Sequence, residues 1–459
     1  MQQLAKVSLL QGWLPTSLFS VTGITLVLLV VMRSHAGKRL IHFLVQIGVA
    51  SISFVVGGGI AWLVSDVFVA FGVSLGWLVI LSIACGFGLI GFAATAVVLS
   101  RGIKRFTAIV AIILTLVSTA LRVDMVYGEY TTIGSIFGMG AFPQLEVERE
   151  QSATASIEEW RSLANHNKLP RLPKKGIVRS VRIPNTISHF HARTANVYLP
   201  PAALVKNAPK LPVMIMLAGQ PGSPNHFFAA SDIAKTLDNY AKNHDGLAPI
   251  VVAPDQNGAT THNSLCSDTH VFGKAETYLT KDVPNWINKH LPVSSDPKMW
   301  LMGGFSQGGT CATQLVPSHP NIFSSMYSAG GELAPTYKNR QETIQRYFNG
   351  NTKAYNKHVP EIIMRRNAPL KQNYYAIAGY WDPKSQANQA TIAMSAHRAG
   401  MNVITMLAPN SGHDWHTVQA GLALVIDQFC KQTGIADTTP HFSAYQNLEV
   451  LIHQRVNRN

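Results

Sequence analysis

Acidic residues are almost missing from the front of this chain. Between Met1 and Leu121 the only one is Asp66, against seven Lys and Arg (Lys6, Arg33, Lys38, Arg39, Arg101, Lys104 and Arg105). Cysteine is scarce, with four in 459 residues. That excludes a disulfide-dense scaffold and leaves room for one bridge at most among Cys266, Cys311 and Cys430 if the later part of the chain lies outside the cytoplasm. Cys266–Cys311 is the pairing favoured among the three, with three free thiols as the alternative, and Cys85, inside an apolar run, reads as a small packing residue. There is no Lys/Arg-rich run interleaved with aromatics, so a nucleic-acid partner is not expected. No Gly-rich phosphate loop is present. His189 and His191 in "HFH" would share one face of a strand, but no further ligand motif of metal-site spacing accompanies them. Neither a metal nor a cofactor is therefore expected.

What the front part holds instead is apolar length. Four stretches, Trp13–Met32, Leu40–Val64, a run within Val67–Ser100, and Ile103–Leu121, each supply about the twenty apolar residues that a helix needs to cross hydrocarbon. The third is too long for one untilted span, so its first residues are expected to lie in the interface or to extend the helix. Gly57, Gly58 and Gly59 would let helices approach closely or would mark a break. A cleavable signal peptide does not fit, since the first run is long and no small-x-small site follows it.

Two short loops, "RSHAGKRL" and "RGIKR", are basic, and the loop between the second and third runs contains only Asp66. By the positive-inside rule the basic loops face the cytoplasm. Both termini, and everything after residue 121, are then extracytoplasmic. The front part carries a net charge of +6 and the remainder +8 of the total +14. Such a domain, tethered to a membrane, would be drawn toward anionic lipid headgroups or simply carry a solvated basic surface.

After residue 121 the pattern changes. "IEEWRSLANHNK" reads as a short helix and "LPRLPKKG" as a stiff linker. Short apolar strands follow, in "GIVRSVRIPNT", "TANVYLPP", "LPVMIML", "APIVVAP", "KMWLMGG", "NYYAIAG" and "NVITMLA". Between them lie helical stretches such as "TYLTKDVPNWINKHL" and "QANQATIAMSAHRAG". Strands alternating with helices imply a mostly parallel sheet with helices on both faces, and reactive groups just past the carboxyl ends of the strands. The expected organisation is a membrane domain of about four helices over 1–121, a linker over 122–175, a domain with a mostly parallel, helix-covered sheet over 176–435, and a tail over 436–459.

Gly304-Phe305-Ser306-Gln307-Gly308 fits G-x-S-x-G. An apolar strand precedes it and a helix-compatible segment follows, the strand–turn–helix setting in which a serine Oγ is exposed as a nucleophile. A hydroxyl needs a neighbouring base, and the chain order for this fold is serine, acid, histidine. His413 stands on a turn after the last strand and is the expected base, with His416 as fallback on the first turn of the next helix. Asp382 in "GYWDP" lies just beyond a strand, where a group that orients imidazole belongs, although an Asx turn or cap before Pro383 would also use it. Glu332, Glu361 and Asp414 are weaker alternatives. Two backbone N–H groups should receive the oxyanion, at Gln307 and at Gln220. Both are backbone roles, so side-chain identity there is expected to matter little.

These residues resemble the esterase branch of the α/β-hydrolases that also contains the mycolyltransferases of mycolate-containing actinobacteria. The resemblance covers about residues 175–430. It is carried by "ARTANVYLPP", "ETYLTKDVPNWI", "GGFSQGGT" and "GHDW" in the family's order. The four-span front end looks like that of actinobacterial membrane esterases. The loop "AGQPGSPNH" and the acid in "YWDP" depart from the mycolyltransferase pattern. The resemblance therefore implies ester hydrolysis first, with acyl transfer to a sugar or lipid acceptor as the alternative and a silent hydrolase scaffold as a more distant one. The tether implies a lipid or envelope glycolipid ester as substrate, and membrane lipids as partners.

Overall fold

The computed structural model describes residues 4, 7–32, 39–68, 75–127, 130, 132–136, 142–146, 155–260 and 262–454. It divides into two compact units, Met1–Ala141 and Phe142–Asn459.

The first unit contains four long helices: α1 (Trp13–Val31), α2 (Arg39–Trp62, prolonged by a π-turn to Val67), α3 (Trp77–Leu99) and α4 (Gly102–Tyr127). All four are long and apolar enough to cross a membrane, with mean hydropathy between 2.0 and 2.2. Large apolar side chains along them, among them Leu40, Val55, Val98 and Ile103, stand exposed, a surface that water does not favour. Helix α2 passes unbroken through Gly57, Gly58 and Gly59, and the first two serve close approach while Gly59 faces open space. A Cβ on Gly57 would come within 2.4 Å of the Phe87 ring on α3, and one on Gly91 within 2.3 Å of Ser53 Oγ on α2. Lys104 Nζ donates to the Met32 carbonyl oxygen at 3.1 Å. The start of α4 and the end of α1, where the two basic loops lie, are thus at one end of this unit. Loop residues 33–38 themselves are outside the described residues, as are residues 69–74 of the long third run.

The second unit is built on one nine-stranded sheet. Its strands are β1 (Ile177–Val181), β2 (Ala195–Leu199), β3 (Val213–Leu217), β4 (Ile250–Ala253), β5 (Trp300–Phe305), β6 (Ser325–Ala329), β7 (Asn373–Gly379), β8 (Asn402–Ala408) and β9 (Glu449–Gln454). They lie in the order β1-β2-β4-β3-β5-β6-β7-β8-β9. The six strands from β4 to β8 in that order pair in parallel, while β1, β2 and β9 run antiparallel to their neighbours. Every residue of β2 to β6 is buried, as expected of strands covered on both faces.

The helices used below are α5 (Ile157–Asn165), α6 (Pro224–Ala230), α7 (Ile233–Lys242), α8 (Gln307–Ser318), α9 (Pro360–Asn367), α10 (Pro383–Arg398) and α11 (Trp415–Gln432). Helices α8, α9 and α10 pack together, and α11 packs with α7. This is the mostly parallel, helix-covered sheet of an α/β-hydrolase. The chain goes from β3 outward to β4, then returns past β3 to β5. The order reverses there, and the crevice at the carboxyl ends of β3 and β5 is where such sheets place their chemistry.

Two sequence expectations change. Residues 436–459, read as a tail, contain β9, whose Glu449–Gln454 segment completes the sheet edge. Its alternating exposure reflects one covered face, so it lacks the continuous apolar run that marked the central strands. The "HFH" segment is not a strand: His189 has a φ of 55° and lies in a loop tied down by Asp282, which accepts from the amides of Ile187 and Ser188 at 2.9 Å. The short helix expected in "IEEWRSLANHNK" is present as α5, opened by a capping box between Ser156 and Glu159.

Candidate active site

Strand β5 is apolar and buried up to Phe305, and α8 starts at Gln307. Ser306 alone makes the turn between them, with φ 53° and ψ −113°, a conformation that costs a non-glycine residue about 1–3 kcal/mol and persists only where the surroundings hold it. Its amide donates to the Ala329 carbonyl oxygen at 2.8 Å. A Cβ on either Gly304 or Gly308 would lie 2.3 Å from the Leu217 carbonyl oxygen, so the turn admits no side chain two residues before or after the serine.

His413 is delivered by the loop after β8, and Asp414 builds that loop. Its carboxylate accepts from Ser411 Oγ at 2.7 Å and from the Gly412 amide at 3.0 Å, and it also caps α11 through the amides of His416 and Thr417. The imidazole that results has Nε2 2.9 Å from Ser306 Oγ and Nδ1 2.7 Å from Asp382 Oδ2. The Phe305 ring supports it at 4.9 Å between centroids.

Asp382 does both jobs between which its sequence context left a choice. Oδ1 accepts from the Ser385 amide at 3.1 Å and caps α10, while Oδ2 faces His413. Burial works to raise the pKa of this carboxylate. The hydrogen bond to His413 and its charge, with help from Ser385, outweigh that and hold it below its ordinary value. An ionised Asp382 on Nδ1 keeps the proton there and leaves Nε2 free to accept from Ser306. The His413 side chain is 40% exposed and that of Asp382 12%, so the line of three groups opens to solvent at its histidine.

The Gln307 amide is the first of α8, so no intrahelical acceptor exists for it, and the helix N-terminus adds a partial positive charge there. The loop after β3 lies against the serine: a Cβ on Gly219 would be 3.4 Å from Ser306 Cβ. Gln220 follows directly. Arg193 holds this loop with Nη2, which donates to the Gly222 carbonyl oxygen at 2.8 Å. The same guanidinium meets Asp255, fully buried, at 2.9 and 3.0 Å. Asp255 accepts in addition from the amides of Arg193, Asn257 and Gly258.

The Gln307 side chain, expected to matter little, is tightly held. Its Oε1 accepts from Asn257 Nδ2 at 2.7 Å and Gln256 Nε2 at 3.2 Å. Its Nε2 donates to Asn257 Oδ1 at 3.0 Å and Asn263 Oδ1 at 2.8 Å. None of Arg193, Asp255, Gln256, Asn257 or Asn263 stood out in the sequence. The one available signal was a charged residue, Asp255, two places after a strand otherwise buried and apolar.

The other candidates lie apart from this line. His416 is an exposed residue on the first turn of α11, 3.6 Å from Asp414. Glu332 pairs with Lys384 at 3.2 Å, and Glu361 is exposed on α9. Cys266 and Cys311 form a disulfide, their Cα atoms 5.7 Å apart; it joins the segment after β4 to α8. Among the described residues, no group of three or more His, Cys, Asp or Glu side chains is placed to hold a metal ion.

Fold and site together define an enzyme of the α/β-hydrolase class. The chain belongs to the family described as Putative esterase, whose model matches residues 189–439. An uncharacterized protein of Corynebacterium glutamicum is 28% identical over 360 residues, covering 76% of this chain and 81% of that one. That is longer than the second unit, so the similarity reaches into the helical unit as well. Among solved structures the chain is similar to a ferulic acid esterase (TM-score 0.47, 16% identity, 57% of this chain and 98% of the other). It is also similar to an S-formylglutathione hydrolase from Agrobacterium tumefaciens (0.47, 15%, 57% and 98%). Mycobacterium tuberculosis MPT51 gives 0.37 and 19%, with 58% of this chain and 99% of the other covered.

Proposed function

We propose that the chain is a membrane-anchored serine esterase whose second unit faces outside the cytoplasm and cleaves a lipid or envelope ester. The observation that carries this reading is the hydrogen-bonded line from Ser306 Oγ to His413 to Asp382, at 2.9 and 2.7 Å.

Ser306 Oγ attacks the ester carbonyl as His413 Nε2 takes its proton, and Asp382 stabilises the imidazolium that forms. The oxyanion receives hydrogen bonds from the amides of Gln220 and Gln307. Collapse expels the alcohol, protonated by His413, and leaves an acyl-serine. Water, activated by the same histidine, releases the acid and restores Ser306. The outward orientation is supported by the two basic loops in the sequence, by the meeting of the α1 end and the α4 start that flank them, and by the Cys266–Cys311 bridge, a bond that persists in oxidising compartments. The choice of a lipid or envelope ester follows from the four apolar helices, since a freely soluble ester would be reached equally well by an untethered enzyme.

The test is a charged, membrane-impermeant fluorophosphonate applied to intact cells making the wild-type chain or Ser306→Ala. Labelling of the wild type alone is expected. Labelling that appears only after lysis would reverse the orientation. No labelling in either state would remove Ser306 as nucleophile.

A further inference from the structure

We propose that Gln256 is the positioning residue that holds the two oxyanion donors at a fixed separation. This rests on the reading of Ser306 as nucleophile and of the Gln220 and Gln307 amides as donors.

Gln256 stands three residues past β4, only 2% exposed. Its Nε2 donates twice, to the Ala218 carbonyl oxygen at 2.7 Å and to Gln307 Oε1 at 3.2 Å. Ala218 lies on the loop that carries Gln220, and Gln307 opens the helix on the other side of the serine. One NH2 group therefore links both arms of the oxyanion site. A carboxamide suits the task because its two N–H bonds diverge in one plane and bring no charge.

The strut that Gln256 belongs to is hydrogen-bonded through Gln256 and through both of its chain neighbours. Its own carbonyl oxygen accepts from Ser264 Oγ at 2.6 Å. Asp255, just before it, is clamped by Arg193, which also holds Gly222 farther along the donor loop. Asn257, just after it, exchanges two hydrogen bonds with the Gln307 carboxamide. Oxyanion donors act through preorganisation, so a shift of a few tenths of an ångström in one arm weakens transition-state binding with little change in substrate binding.

The experiment uses the full chain in detergent, a short-chain p-nitrophenyl ester, and a boronic acid as tetrahedral mimic. Wild type is compared with Gln256→Met, Gln307→Met, the double variant and Ser306→Ala. Gln307→Met keeps the backbone N–H and cuts the link. Each single variant is expected to lower kcat about ten- to a hundredfold, with KM within about threefold. Boronate affinity should fall by the same factor as kcat/KM. The double variant should be no slower than the worse single one, because both cut the same link. Unchanged kcat in either single variant would overturn the proposal. So would a kcat loss with boronate affinity intact, or losses that multiply in the double variant. Should Gln256→Met fail to fold, Gln256→Glu and Gln307→Met face the same criteria. Hydrolysis surviving in Ser306→Ala would instead withdraw the nucleophile, a separate result from any of these.

Discussion

Asp382 serves two structures with its two oxygens, and substitutions can separate them. Asn is as good a helix cap as Asp, so Asp382→Asn should leave the cap of α10 nearly intact while it loses the charge that orients His413. The expectation is a fall in kcat of about 10³-fold or more with a thermal midpoint within a few degrees of wild type. Asp382→Ala should lose both, with a further cost of about 1 kcal/mol in stability from the missing cap. Ester hydrolysis and thermal melts on the same preparations check the pair. Because the folded pKa of Asp382 is depressed, its contribution to stability is present above the unfolded carboxylate pKa and is lost as the pH falls through the folded value.

His226, on α6, adds a loss in the same direction from a different cause. It is fully buried, both ring nitrogens lack hydrogen-bond partners among the described residues, and burial pushes its pKa down to about 3. The unfolded chain binds a proton below pH 6.5 that the folded chain refuses, so stability must fall as the pH drops from 6.5 toward 3. Going from pH 7 to pH 5 this costs about 2 kcal/mol. His226→Phe should flatten that part of the stability curve, which urea unfolding at the two pH values would measure. An equally steep curve in the variant would show that other groups cause it.

At the scale of elements, the segment that leaves β4 does more than connect. Asp255 takes five hydrogen bonds with no exposure of its own, and its partner Arg193 reaches across to the loop after β3. Arg193→Met would leave a buried carboxylate without its counter-charge. The expected cost is about 3–5 kcal/mol. Release of the Gly222 carbonyl should also loosen the loop that bears Gln220, so kcat falls in the fraction that folds. Denaturant unfolding and turnover per fluorophosphonate-titrated site separate the two effects. Retained stability would mean that the remaining amide donors satisfy Asp255 by themselves. In the helical unit the comparable device is the close approach of α2 and α3, where Gly57 meets the Phe87 ring and Gly91 meets Ser53 without room for a Cβ.

For the molecule as a whole, compartment and covalent structure are linked. Cys266 and Cys311 are bridged, and Cys85 and Cys430 are free. Denatured without reduction, the protein should take up a maleimide-polymer tag at two sites, and at all four cysteines after reduction. Four sites without reduction would argue for a reducing compartment and against the outward orientation. The bridge spans 45 residues, so Cys311→Ser should lower the stability of the second unit by about 2–4 kcal/mol. It also ties α8 to the segment that carries Gln256 and Asn263, which should make catalysis more sensitive to the loss than a remote staple would.

Much of this protein was decided by local order along the chain. A membrane span needs only twenty apolar neighbours in a row, and the elbow around Ser306 needs only glycines two residues away on each side. Both can be read without knowing what lies across the fold. Asp382 and His413 could be chosen because a parallel sheet sends each strand end, in chain order, to one rim. Tertiary structure alone decided what those groups lean on. Arg193 and Asp255 meet across 62 residues, Gln256 and Gln307 across 51, and β9 joins a sheet that otherwise ends at β8. A single carboxamide or arginine has the same appearance in sequence whether it faces water or bridges two buried carbonyls. The difference is desolvation, which belongs to the packed chain and not to any stretch of it.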